Sequence, residues 1–317
     1  MDRIKKTDKI VITGGAGLVG QNLVYQLMRQ GFSHIVCMDK HKHNLQILAR
    51  NNLGVQCVDA DLADAGTWGN HFEGTACLVL LQAQITGKTE REFERNTVQS
   101  TELVLQQAAK ENAPYIVHVS SSVVISVADD AYTRTKRKQE QMVAQSGIRH
   151  CILRPTLMFG WFDPKHLGWL SRFMERLPFF PIPGHGRYMR QPLYEQDFCR
   201  VIVQCMLTQP ENMVYDIIGR DRVDYVDIIR AIKECRNLRT PIVHIPYALF
   251  ALLMRVYALF SVKPPFTVDQ LKALTAGDEF VGVDMEKEFG VHPTPFNEAI
   301  RETFCHPEHS KIILQLT

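Results

Sequence analysis

Tyr132 and Lys136 stand four residues apart in DDAYTRTKRKQE (129 to 140), and Ser122 precedes the tyrosine by ten residues in VHVSSSVVIS. If the first stretch is helical, positions i and i+4 share a face, so phenol and ammonium point the same way. A tyrosine near pKa 10 is a poor base at neutral pH, but a neighbouring cation favours the phenolate and lowers that pKa. Such a phenol can take a proton from an alcohol and return it. The Ser122 hydroxyl would then hold the oxygen whose proton moves. The spacing alone carries little, because any two residues at i and i+4 share a helix face; the surrounding elements must give it meaning.

The first of these elements is TGGAGLVGQNLV (13 to 24), which follows the β-branched run KIVIT. Gly15, Gly17 and Gly20 satisfy Gly-x-Gly-x-x-Gly, and Gly14, Gly17 and Gly20 satisfy the wider Gly-x-x-Gly-x-x-Gly. A tight turn that lets backbone approach a pyrophosphate has no room for Cβ atoms, and the N–H groups of Leu18, Val19 and Gly20 would open a helix whose positive end faces the phosphates. Asp39 closes the second apolar run about 20 residues after the last glycine, where a carboxylate binds the adenosine ribose hydroxyls. It repels a 2′-phosphate, so NAD is expected rather than NADP, although Lys40, His41 and Lys42 could neutralise such a phosphate. Asp61 and Leu62 in DADLAD fall just past the third run, near the expected adenine ring. A bound nicotinamide places a second positive charge beside Tyr132, and Lys136 can also reach its ribose.

These residues need a sheet to hold them. Short apolar runs at 9 to 13, 34 to 39, 55 to 60, 76 to 81, 115 to 120 and 150 to 155 alternate with helical patterns such as Gln21 to Gln30 and Glu92 to Lys110. Each run is apolar on both parities, as in strands covered on both faces, and strand–helix–strand repetition gives an α/β, doubly wound parallel (Rossmann) sheet. MVYDIIG (213 to 219) reads as one more strand. FMERLPFFPIPGHGRYMRQP (173 to 192) is rich in proline and glycine and reads as loops. The expected division is a dinucleotide-binding domain over 1–157 with a return segment at about 191–219, and a smaller C-terminal substrate lobe over 158–190 and 220–317.

Composition excludes several function classes. The 317 residues are 45% hydrophobic, enough for a full core, and 36 basic against 34 acidic residues leave +2, too little for nucleic-acid binding. The eight cysteines are scattered without a Cys-x-x-Cys pair and read as buried thiols of a reducing cytosol. The charged N-terminus lacks the apolar core of a signal peptide, so a cytoplasmic location is expected. No histidine spacing matches a metal site, and VHVSSSV lacks the nucleophile elbow of a serine hydrolase. YALFALLMRVYALFSV (247 to 262) is almost wholly apolar yet short of a span of roughly 20 residues, so it reads as a buried or interfacial helix, with peripheral membrane contact left open.

Together TGGAGLVG, Asp39, DADLAD, Asn96 in NTVQSTELV, SSS, YTRTK with Glu140, LRPTLMFG and GHGRYMRQPLYEQDF resemble the extended short-chain dehydrogenase/reductase superfamily, the NAD-dependent epimerase/dehydratase group. The resemblance implies Tyr132 as acid/base, Lys136 as its partner, Ser122 as the third member, the glycines as the pyrophosphate loop and Arg190 as a ligand of a substrate phosphate. It also implies a homodimer through the helices around Glu92 to Lys110 and Tyr132 to Gln145. Val123 and Val124 replace the acids that dehydrating relatives carry after the serine or threonine, which argues against a 4,6-dehydratase. Ser126 and Val127 replace the usual Tyr-Gly, and Leu81 and Gln84 depart from the pattern after the fourth strand. The function so implied is epimerisation of a nucleotide-activated sugar by hydride removal and return. RQPLYEQDF and DEFVGVDMEKEFGVHPTPFNEAIRETF also look like divergent members, among them the accessory subunit of respiratory complex I and relatives acting on lipidic or steroid alcohols. The alternatives are thus a sterol-like or lipidic alcohol dehydrogenase/reductase and a non-catalytic NAD-binding assembly protein.

Overall fold

A computed structural model describes residues 4–126, 129–260, 271, 274–275 and 280–315; Val127 and the end of the apolar stretch, 261–262, lie outside the described residues. Strands β1 (Lys9–Thr13), β2 (Ile35–Asp39), β3 (Gln56–Asp59), β4 (Thr75–Leu80), β5 (Ile116–Val119) and β6 (His150–Pro155) are each β-branched or apolar at their centres. The two-residue β7 (Met158–Phe159), then β8 (Phe180–Pro183), β9 (Met189–Arg190), β10 (Leu193–Tyr194), β11 (Met213–Ile217), β12 (Val223–Asp224) and β13 (Ile242–Ile245) follow. Seven of them form one parallel sheet in the order β11-β6-β5-β4-β1-β2-β3. The order reverses beside β1, and doubly wound sheets bind ligands outside the carboxyl ends of the strands at such a reversal.

Helices α1 (Leu18–Arg29), α2 (Lys42–Asn51), α3 (Glu90–Phe93), α4 (Ser100–Lys110) and α5 (Ala131–Gln145) make the crossovers, with a π-helical stretch, Glu94–Gln99, joining α3 to α4. The central strands are covered on both faces, as their continuous apolar runs require; β3 is not, since Gln56 and Asp59 at the edge are exposed. One apolar cluster packs α1 and α7 (Glu195–Thr208) on one face of the sheet, and a second packs α4 and the Trp68–Phe72 turn on the other. Glu195 is fully buried against Asn22 of α1, 2.7 Å from its amide; burial pushes its carboxyl well above the usual range despite that bond.

A third cluster gathers α6 (Leu167–Arg176), β8, α8 (Tyr225–Cys235) and the helix Phe296–Cys305 into a smaller lobe. Two expectations change here. The stretch expected as loops contains the end of α6 and strands β8 and β9. β8 tolerates Pro181 and Pro183 because the bonding N–H groups belong to alternate positions: Phe180 donates to Pro241 O and Gly184 to Ile245 O, both at 2.7 Å. The cysteines are not all thiols either. Cys235 at the end of α8 and Cys305 seventy residues later pair as a disulfide that staples two lobe helices, a proximity no local spacing encodes. The other six are free, and all but the half-buried Cys57 are buried.

On either side of the helix Phe296–Cys305, the segment beyond residue 280 leaves the lobe. Met285 and Val291 join the cluster under α1 and α7, and Leu314 packs with Trp161 and Phe162 against Leu18 and Tyr25. The apolar helix α9 (Tyr247–Phe260) is not a core helix: Leu249, Leu252, Leu253 and Val256 are 44–56% exposed. Among the described residues no helix is long and apolar enough to cross a membrane.

Candidate cofactor and active site

The glycine loop works because β1 and β4 run side by side. Gly14 has φ +68°, and a Cβ there would lie 2.6 Å from Gln82 N; at Gly20 it would lie 2.3 Å from Gly15 O. Gly17 is different, since the nearest atom to its Cβ position, Gly14 O, is 3.4 Å away. Gly17 is also the N-cap of α1, with no capping side chain and no acid in the first turn. The Leu18, Val19 and Gly20 N–H groups therefore present an uncompensated positive end.

That end opens into a cavity of about 250 Å³ lined by Gly14, Gly17, Leu18, Val19, Gly20, Asp39, Asp61 and Leu62, together with parts of four other segments. The Asp39 carboxylate is fixed by the Ala16 N–H at 3.1 Å and the His41 N–H at 3.0 Å. Asp61 is gripped by Arg95, whose other nitrogen binds Asp64. Partial burial pushes the Asp61 carboxyl up, but the Arg95 hydrogen bond, the Ala63 N–H and the charges of Lys40 and Arg95 together hold it below the usual range. Lys40 reaches Asn96 at 2.8 Å and Asn96 reaches Gln84 at 2.7 Å, joining three cavity-wall residues; Asn96 sits on the π-helical stretch. A positive helix end, a cradle without Cβ atoms and a fixed carboxylate fit a dinucleotide with free ribose hydroxyls, which is NAD.

Tyr132, Lys136 and Ser122 do not line this cavity, and neither does Arg190. Tyr132 and Lys136 share α5, which is fixed at several points. Asp130 caps α5 through the Thr133 N–H at 2.8 Å, the Arg154–Glu140 pair clamps α5 to β6 with two bonds of 2.9 and 2.7 Å, and Arg137 ties α5 to the Val124 and Ser126 carbonyls. The remaining cations of the quoted stretch face solvent carboxylates, Arg134 pairing with Glu90 and Lys138 with Glu94.

Two expectations change here, for the phenol and for the lysine. Ser121 hydrogen-bonds the Tyr132 phenol, while Ser122, expected at the substrate oxygen, is buried at the start of the 3-10 turn Ser122–Ile125. The phenol is not acidified: burial pushes its pKa up, Ser121 opposes and Asp130 adds to the rise. Lys136 is only 1% exposed, and burial lowers its pKa to about 7 against the opposing Glu140 charge. It donates to Val119 O and to Gln139 Oε1, and Gln139 in turn donates to Gln82 O at 3.0 Å on the cavity wall. Arg190, on β9, donates to Leu274 O in the lobe.

Other cavity residues escape a reading of the sequence. Met158 and the turn Asp163–His166 line one wall, where Asp163 accepts the Lys165, His166 and Gly168 N–H groups ahead of α6, whose N-cap is His166. FDPKHLG carries a turn-and-cap signal that could have marked this helix start. Leu314 and Gln315 also line it, and nothing local announces them.

The model of the NAD dependent epimerase/dehydratase family matches residues 10–218. A 4-hydroxy-2-methyl-3-oxo-4-farnesyl-3,4-dihydroquinoline-1-oxide ketoreductase of Stigmatella aurantiaca is 24% identical over 256 residues, 74% of this chain and 75% of that protein. A sterol-4-alpha-carboxylate 3-dehydrogenase, decarboxylating, of Mus musculus is 23% identical, with 95% of this chain and 91% of that one covered. Among solved structures, a UDP-glucose 4-epimerase with UDP-glucose from Thermotoga maritima superposes with a TM-score of 0.73 at 18% identity, covering 93% of this chain and 97% of that one. A UDP-glucuronic acid 4-epimerase from Bacillus cereus in complex with NAD gives 0.72 at 18%, with 94% and 98% covered. At such identities the structural likeness is one of fold.

Proposed function

The chain belongs to the NAD dependent epimerase/dehydratase family, an enzyme family with NAD as cofactor, and on that premise we propose that it is a dehydrogenase or reductase of a lipidic secondary alcohol. The observation that carries this reading is the stripe Leu249, Leu252, Leu253 and Val256 on α9. At i, i+3, i+4 and i+7 these side chains share one helix face, and that face is turned to solvent on the substrate lobe. A continuous exposed apolar face marks a surface that meets apolar matter. We assign it to a lipid surface from which an apolar substrate enters. The two relatives named above, by their names a farnesylated-quinoline ketoreductase and a sterol dehydrogenase, support an apolar substrate.

When bound, NAD supplies the hydride-accepting chemistry. Tyr132 would exchange the proton of the alcohol oxygen, held by the Ser121 hydroxyl, while Lys136 and Gln139 fix α5 against the cavity wall at Gln82. A homodimer through the helices before and after β5 is part of the same reading.

Epimerisation of a nucleotide-activated sugar is the second reading, favoured by the guanidinium of Arg190 in the lobe. Its bond to Leu274 O occupies part of the fork that a diphosphate would need. The two part company in one assay, in which purified enzyme and NAD are offered a 3-hydroxysterol, a long-chain secondary alcohol and a set of nucleotide diphosphate sugars. NADH formation with the apolar alcohols alone is expected. Interconversion of a sugar without net NADH overturns the proposal.

A further inference from the structure

The C-terminal segment crosses from the lobe back to the dinucleotide-binding domain, and its last described residues, Leu314 and Gln315, line the cavity. Its route is fixed at several points. His309 stacks on Trp161 with centroids 4.4 Å apart, Ile313 bridges to Phe162, and Leu314 is buried against Leu18 at the start of α1. Gln315 then meets Asn44 of α2 twice, its N–H donating to Asn44 Oδ1 at 3.0 Å and its carbonyl accepting from Asn44 Nδ2 at 3.2 Å. Asn44 is itself buried, and its main-chain carbonyl accepts from Gln21 of α1 at 2.8 Å. Leu314, Gln315 and Asn44 all line the cavity beside Asp39 and His41.

We infer that Leu314 and Gln315 form a clasp over the NAD cavity and that Asn44 is the positioning residue that holds the clasp shut, so that cofactor exchange waits on breaking the Asn44–Gln315 pair. A carboxamide that exchanges two hydrogen bonds with the main-chain N–H and C=O of one residue pins that residue in direction as well as place. Both bonds lie at a wall residue, so their loss opens the cavity without touching Asp39 or the glycine loop. The inference rests on NAD binding and not on the identity of the substrate.

The test loads the full-length protein with NADH, chases it with excess NAD and follows the loss of bound-NADH fluorescence. Asn44→Ala and a chain ending at Lys311 should both release NADH about tenfold faster, as expected for two neutral hydrogen bonds. Asn52→Ala, which removes a buried asparagine at the far end of α2 bonded to Leu48 O, should leave release unchanged. If the shortened chain does not melt cooperatively, Asn44→Ala against Asn52→Ala decides. Release within twofold of the parent in Asn44→Ala, or equal acceleration in Asn52→Ala, overturns the inference.

Discussion

Lys136 is bound by Gln139, one turn further along α5, at 2.6 Å, while its second bond of 2.9 Å runs to Val119 O at the end of β5. The lysine is thus anchored to the sheet and, through Gln139 and Gln82, to the cavity wall. Its hydrogen bonds among the described residues do not include the Tyr132 phenol.

This anchoring predicts a pH signature in stability. The folded-state pKa of Lys136 is depressed to about 7 from an ordinary 10.5, so between those values the unfolded chain holds the extra proton and stability rises with pH. Lys136→Met removes that contribution. Its unfolding free energy, measured by urea denaturation, should lose up to about 1.4 kcal/mol per pH unit of positive slope in this window. An offset from the unpaired Val119 carbonyl does not alter the slope. Identical slopes in parent and variant would refute the assignment.

The Ser121–Tyr132 bond predicts which serine tunes the phenol. In the oxidative direction the phenolate is the base, so the rate climbs with pH towards a phenol pKa that burial has raised. Ser121→Ala removes the bond that opposes this rise and should move the climb to higher pH. Activity at neutral pH should then fall about tenfold for each unit of displacement. Ser122→Ala should move it less, and Tyr132→Phe should abolish turnover while leaving NADH affinity within about threefold, a small energy on this scale. The assignment of Ser121 fails if the pH profile responds to Ser122→Ala alone.

Gly17 and Gly20 should separate binding from folding. Alanine at Gly20 places a Cβ against Gly15 O and should cost about 1–3 kcal/mol or more of stability. Alanine at Gly17, where φ is −75°, meets no backbone closer than 3.4 Å and should melt like the parent. Its methyl group would stand where the pyrophosphate approaches, weakening NAD at least about tenfold by calorimetric titration. Equal affinity in Gly17→Ala would move the phosphates elsewhere.

The Cys235–Cys305 pair predicts a redox-dependent melting temperature. Closing a 70-residue loop contributes about 4 kcal/mol in the chain-entropy model. Cys305→Ser should therefore lower the melting temperature in non-reducing buffer and match the parent once a strong reductant is present. A parent insensitive to reductant speaks against the pairing.

The dinucleotide half was legible because its determinants are local. The first two apolar runs, the Gly14–Gly20 turn and Asp39 lie within 31 consecutive residues, and each follows from the backbone geometry a strand, a turn or a helix start demands. The Tyr132–Lys136 spacing placed both residues on α5 for the same reason. Where contacts join distant segments, the sequence was silent or misleading. Which serine meets the phenol, whether Lys136 keeps its proton, what Cys235 touches, how far α9 is covered and which residues close the cavity beside Asn44 all depend on packing between elements tens to hundreds of residues apart. Burial and long-range hydrogen bonding are properties of the assembled sheet and its covering, and they exist only once the chain has folded.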